Sequence, residues 1–154
     1  MIHLLYCGGD MYKLLILFSL TAFIYAEIHV YSGESIQDAI DSAPPGETII
    51  VHDGTYMENL LIEKDILLYS ANDAGSTIID GSLGRSLGST IVIRPQSGSP
   101  DKPNVEIDGF GIINGKGTDI INKTITLPDN THPTEKVGGG LFVYVNSPKI
   151  NNCE

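Results

Sequence analysis

An all-β chain wound as a parallel β-helix, with one short helix near its start, is predicted by three observations. Apolar, β-branched runs recur along the chain, among them Thr48-Ile49-Ile50-Val51, Leu60-Leu61-Ile62, Ile66-Leu67-Leu68-Tyr69 and Thr90-Ile91-Val92-Ile93. Polar corners, such as Asp53-Gly54 and Lys64-Asp65, separate them. The phrase Ile-Asp-Gly closes two runs, at 79–81 and 107–109, 28 residues apart. Strands this brief suit a coil with several faces better than a sandwich. A strand and turn repeated at an interval marks a solenoid, whose rungs bury their apolar faces only against one another.

Taken in order, Met11-Tyr12-Lys13 and the apolar run from Leu14 to Ala26 have the anatomy of a secretory signal peptide. The run is too short for a comfortable membrane span, and it is apolar all round where a docked surface helix would be amphipathic. Residues 1–26 are therefore assigned as the leader, with Met11 as an alternative start, and residues 27–154 as coils. Ile28-His29-Val30-Tyr31 alternates like a strand and Ser32-Gly33 ends it. Ser35 stands three before Asp38, as in a capping box, and Ile36, Ala39, Ile40 and Ala43 follow at helical spacing until Pro44-Pro45-Gly46. Laid over the first coil, such a helix shields the end of the core from water and from edge pairing.

The strands already named come next, with Gly54-Thr55-Tyr56-Met57-Glu58 as a link to Leu60. Thr77–Gly81 and Val105–Gly109 are expected to stack as equivalent rungs, with 82–89 and 96–102 as outward loops and Thr90–Pro95 as a strand between them. Phe110, Ile112 and Ile113 then lead to Asn114-Gly115. Equivalent rungs lie about 4.7 to 4.9 Å apart, which makes Asp80 and Asp108 neighbours and the candidate metal ligands. Two carboxylates that close either raise a pKa or hold a cation, and calcium is the ion such oxygens select. The other reading makes each aspartate a turn former bonded to its own backbone before a glycine. No other cofactor is indicated. The polar insertion from Asn122 to Val137 is the expected place for recognition, and Asn122-Lys123-Thr124 fits a glycosylation acceptor.

The segment from Ser35 to Gly81, SIQDAIDSAPPGETIIVHDGTYMENLLIEKDILLYS followed by STIIDG, resembles the N-terminal portion of secreted right-handed parallel β-helix proteins of the pectin-lyase-like superfamily. Gly54, Tyr56 and Glu58 form a G-x-Y-x-E phrase similar to the entry coil of the pectin methylesterase branch. The phrases IDGFGIINGKG and GGGLFVYVNSPKINNC resemble the β-helix repeats of bacterial surface proteins. The resemblance implies a right-handed coil, a secreted or cell-surface location, and an extended polysaccharide or cell-surface glycan as partner. It carries over no catalytic residue: the esterase phrases Q-D-T-L and D-F-I-F-G are not found, and neither Arg85 nor Arg94 stands in a lyase motif. A polysaccharide lyase, or a carbohydrate esterase or hydrolase, would need its site beyond Glu154. The alternative is a non-enzymatic surface adhesin or repeat stalk.

Residues 138–154 read as the opening of a further rung with no polar cap, so the chain is expected to be the N-terminal portion of a longer solenoid that self-associates through its open end. Its 19 acidic and 9 basic residues leave a net charge of −10, unchanged when the leader with Asp10 and Lys13 is set aside. That balance disfavours nucleic acid and anionic bilayers as partners. Cys7 and Cys153 offer no disulfide framework. His29, His52 and His132 lie far apart in sequence without ligand spacing. Gly115-Lys116-Gly117 and Gly138-Gly139-Gly140 read as tight corners, since strands and not helices follow them.

Overall fold

A computed structural model describes residues 27–83, 88–121, 134–137, 139–144 and 148–154. The leader, the Asn122-Lys123-Thr124 acceptor and His132 lie outside the described residues. The chain opens with β1 (Ile28–Val30) and the helix α1 (Ile36–Ser42), then runs through β2 (Glu47–Val51), β3 (Gly54–Tyr56) and β4 (Leu60–Ile62). A second passage follows through β5 (Ile66–Ser70), β6 (Thr77–Asp80) and β7 (Ile91–Ile93). A third takes β8 (Val105–Asp108) and β9 (Gly111–Ile113), detours through β10 (Thr118–Ile121) and β11 (Thr134–Val137), and reaches β12 (Leu141–Val143). The final described strand is β13 (Lys149–Asn151).

Strands holding the same place in each passage pair in parallel. They form a first sheet in the order β1-β2-β5-β8-β13, a second in the order β3-β6-β9 and a third in the order β4-β7-β12. The described chain is thus mostly β, with one α-helix and three parallel sheets. Among the described strands only the detour is antiparallel: β10 and β11 pair from Thr118 with Val137 to Ile121 with Thr134. Part of the expected polar insertion is therefore a paired strand.

Period-two alternation explains the core. In the first sheet Ile28, Ile49, Leu68, Ile107 and Ile150 stand in register across five strands. Ile49, Leu68 and Ile107 are fully buried. Tyr56, Ile79 and Ile112 do the same in the second sheet, and Leu60, Ile91 and Leu141 in the third. Each apolar side chain thus stacks on another one strand away, and the sheets close around one shared core.

The equivalence expected for the two Ile-Asp-Gly phrases does not hold. Thr77–Asp80 belongs to the second sheet, where Ile79 pairs with Ile112, whereas Val105–Asp108 belongs to the first, between Leu68 and Ile150. Passages differ in length because their loops differ: 19 residues separate Ile49 from Leu68, and 39 separate Leu68 from Ile107. An interval of 28 residues matches neither, so the repeated phrase compares two different faces of the coil. Gly54–Tyr56, expected as a link, is a strand that founds the second sheet.

The helix forms where expected. Ile36, Ile40 and Ala43 are buried against the first passage, and the Ser35 Oγ accepts the Asp38 N–H at 3.1 Å as an N-cap. The carboxylate that completes this cap comes from elsewhere in the chain. Glu58 accepts the Ile36 N–H at 2.7 Å, the Gln37 N–H at 3.3 Å and the Ser35 hydroxyl at 2.9 Å. At the other end the Lys64 Nζ donates to the carbonyls of Asp41 at 2.9 Å and Ala43 at 2.6 Å. Between them the Gln37 side chain accepts the Leu61 N–H at 2.7 Å and donates to the Leu61 carbonyl at 3.1 Å. Leu61 lies on β4, the edge of the third sheet, so this amide does what a further strand would do. Among the described residues no helix is long and apolar enough to cross a membrane.

Candidate functional site

Asp80 and Asp108, the expected metal ligands, end strands of different sheets and are not brought together. Each is a corner acceptor. The Asp80 Oδ1 takes the Ser82 N–H at 2.8 Å and the Asn114 amide at 3.0 Å, and the Asp108 Oδ1 takes the Asn152 amide at 2.8 Å. A third pair, the Asn72 amide donating to the Asp53 Oδ1 at 2.7 Å, repeats the arrangement. Aspartate-to-asparagine bonds between successive passages therefore fasten the corners. The left-handed backbone of Asn114, φ 59°, and of Asn152, φ 46°, belongs to the same device, because asparagine tolerates that conformation.

The Asn114 amide, with the Ser82 N–H next, holds the Asp80 carboxyl below its ordinary value. A carboxyl whose pKa is depressed by folding stabilises the folded state above its unfolded pKa of 3.8, and that contribution is lost as pH falls through the folded value. Asn114→Gly keeps the left-handed turn and removes the donor. The Asp80 pKa is then expected to rise toward the ordinary carboxylate range, read as the midpoint of its carboxyl carbon shift in an NMR titration. An unmoved midpoint would leave the asparagine without this role.

A second constellation gathers at the start of the first sheet. Alternation sends Val30 and Val51 inward and leaves His29, Tyr31 and His52 on the outer face. Because Val30 pairs with Val51, Tyr31 falls beside His52. Their rings stack with centroids 4.2 Å apart and planes inclined by 10°. The His29 ring lies 5.2 Å from that of His52, and the His29 Nδ1 meets the His52 Nε2 at 3.0 Å. One nitrogen donates and the other accepts, so the pair shares a proton. The other His29 nitrogen faces the Glu27 carboxylate at 3.9 Å.

The backbone beneath these rings is held from several sides. The Tyr31 N–H donates to the Glu34 carboxylate at 2.7 Å, and the Glu34 N–H to the Tyr31 carbonyl at 2.9 Å. The His52 N–H donates to the Val30 carbonyl at 2.9 Å, while the buried Tyr56 hydroxyl donates to the His52 carbonyl at 2.7 Å. Burial, followed by the nearby Glu34, Asp53 and Glu58, pushes the Tyr56 phenol up and keeps it a donor. The G-x-Y-x-E phrase is thus a structural device, with Tyr56 supporting the ring cluster and Glu58 capping the helix. Beside the rings, between β1 and α1, an open groove of about 520 Å³ carries His29, Glu34, Ser35, Asp38 and Ser42 on its walls. Flat ring faces beside hydroxyls and carboxylates suit a ligand with apolar faces and many hydroxyl donors.

In sequence these histidines stand apart, 23 residues separating His29 from His52. What joins them is the 21-residue offset between β1 and β2. That offset is legible only once the first passage is known to include the helix.

No protein-family model matches this chain. It is similar to a protein named cell surface glycoprotein from Methanothermus fervidus, with 40% identity over 108 residues. The match takes in 68% of this chain and 16% of that protein, so the chain spans about one sixth of the relative's length.

Proposed function

We propose that residues 27–154 form coils of a right-handed parallel β-helix of the pectin-lyase-like type, displayed at a cell surface behind a secretory leader, and that the outer face of the first sheet contacts an extended polysaccharide. Three sheets visited in a fixed order support the coil, and the similarity to a cell surface glycoprotein supports the location. The observation that carries the ligand class is the ring stack of Tyr31 and His52, with Tyr31 54% exposed. It stands at the head of an outward row in which His29, Ile50, Tyr69, Asp108 and Asn151 follow one another strand by strand. Four steps of about 4.8 Å make a track of about 19 Å, longer than a single small ligand and suited to a linear one.

Affinity electrophoresis of the full chain in gels cast with soluble polysaccharides tests this reading. Retardation by at least one of them is expected. Tyr31→Ala is expected to weaken it roughly tenfold, the equivalent of about 1.4 kcal/mol. No retardation in any gel, or equal retardation of the variant, would remove the ligand assignment. The second reading, a stalk or coat segment with no ligand, is favoured by the relative's printed name, which speaks only of the cell surface.

A further inference from the structure

We propose that the His29 Nδ1 and the His52 Nε2 chelate a divalent transition metal ion of the zinc, nickel or copper class on the outer face of the first sheet. This inference does not rest on the polysaccharide reading, since it uses ring nitrogens and the other uses ring faces.

The geometry comes first. Two ring nitrogens converge at 3.0 Å from adjacent parallel strands, and on binding the ring that donates in this N–H···N contact carries its proton on its other nitrogen, so that both converging nitrogens present lone pairs to the ion. Zinc binds imidazole nitrogen at about 2.0 to 2.1 Å, and tetrahedral angles then set two ligand nitrogens about 3.3 Å apart. A separation wider by about 0.3 Å is reached by small rotations of two side chains on the outer surface. Imidazole is the ligand type that zinc, copper and nickel favour over calcium or magnesium.

The surroundings fit the same role. A metal-bound histidine commonly turns its other nitrogen to a carboxylate, which fixes the tautomer and raises the basicity of the ligand. The Glu27 Oε2 stands 3.9 Å from the His29 Nε2, the nitrogen that chelation leaves over. Tyr31 stacks on the His52 ring and limits its rotation. The backbone hydrogen bonds of Tyr31 and His52 hold both strands at fixed register, so little order remains to be gained on binding. The net charge of −10 favours accumulation of dications around the molecule.

The donor set also bounds the strength of the site. Among the described residues no group of three or more histidine, cysteine, aspartate or glutamate side chains converges. Two imidazoles therefore supply the protein ligands and water completes the shell. Such a site exchanges its ion, unlike a closed structural site with four protein ligands.

Titration calorimetry of the full chain with zinc chloride alone, repeated with nickel chloride, tests the proposal. One ion per chain is expected. His29→Ala and His52→Phe are each expected to lower affinity at least tenfold; the phenylalanine keeps a ring against Tyr31 and removes only the nitrogens. His132→Ala and His3→Ala should bind as the parent does, which sets the described pair apart from the remaining histidines. Circular dichroism confirms that the variants fold. Absence of saturable binding by the parent chain would overturn the assignment and leave the contact a simple N–H···N bond, as would undiminished binding by the His29 and His52 variants. Tyr31→Ala separates the two readings, because it should weaken retention by polysaccharide roughly tenfold while leaving both nitrogens available to bind one ion per chain.

Discussion

Glu58→Ala is expected to cost about 3 kcal/mol of folding stability, although Glu58 is neither apolar nor fully buried. Its carboxylate accepts two backbone N–H groups at the start of α1 and the hydroxyl of the N-cap Ser35. Hydrogen bonds to a charged acceptor contribute about 1.5 to 3 kcal/mol each, and bonds sharing one acceptor group add less than in full. The helix has seven residues, too few to persist without help, and Glu58 ties it to the second passage. For a chain of this size the loss corresponds to a midpoint lower by roughly 10 °C. Urea denaturation of the full chain followed at a helix-sensitive wavelength measures it. Glu58→Gln should recover about half the loss, because the amide oxygen still accepts but carries no charge. A midpoint unchanged in Glu58→Ala would mean that burial of Ile36 and Ile40 alone seats the helix.

This explains what the G-x-Y-x-E phrase could and could not convey beforehand. The phrase lies at the start of the parallel sheets, but its purpose depends on a partner 22 residues upstream, Ile36, that no local pattern names. The strands were legible for a simple reason. Runs such as Leu60–Ile62 and Ile66–Leu68 carry β-branched or aliphatic side chains at every inward position, and polar residues bound them. Which strand lies upon which was not legible, because register in a coil is set by loop lengths that composition does not encode.

The two Ile-Asp-Gly phrases make the point at atomic detail. Gly109 has φ 82°, a left-handed turn that glycine adopts at little cost. Gly81 instead opens a 3-10 turn, and a Cβ there would meet the Thr90 side chain and backbone. The same three letters thus answer two different demands, positive φ in one place and close approach in the other. A reader of letters takes them for one repeat. The ring cluster was hidden for the converse reason: His29 and His52 share no phrase at all, yet their strands share a register.

The largest loss is expected from Phe110→Ala. Phe110 is the largest fully buried side chain among the described residues. It follows the left-handed Gly109 and precedes β9, so its ring turns inward at the corner between the first and second sheets. Truncating a buried phenylalanine typically costs about 3 to 5 kcal/mol, the removed surface and the remaining cavity both contributing. Chemical denaturation gives the magnitude, but amide exchange gives the more telling result. Each passage touches only its neighbours, so stability passes from one to the next and is not shared equally across the chain. The Phe110 carbonyl accepts the Glu154 N–H at 3.0 Å, and the Ile112 N–H donates to the Glu154 carbonyl at 2.7 Å. The cavity therefore loosens the segment after β13 directly. Amides of β8, β9 and β13 are expected to exchange faster in the variant by a larger factor than those of β2 and of α1, whose ends Glu58 and Lys64 continue to hold. Equal acceleration throughout would instead mean that the passages open together as one cooperative unit, and that a helix at one end feels a cavity at the other.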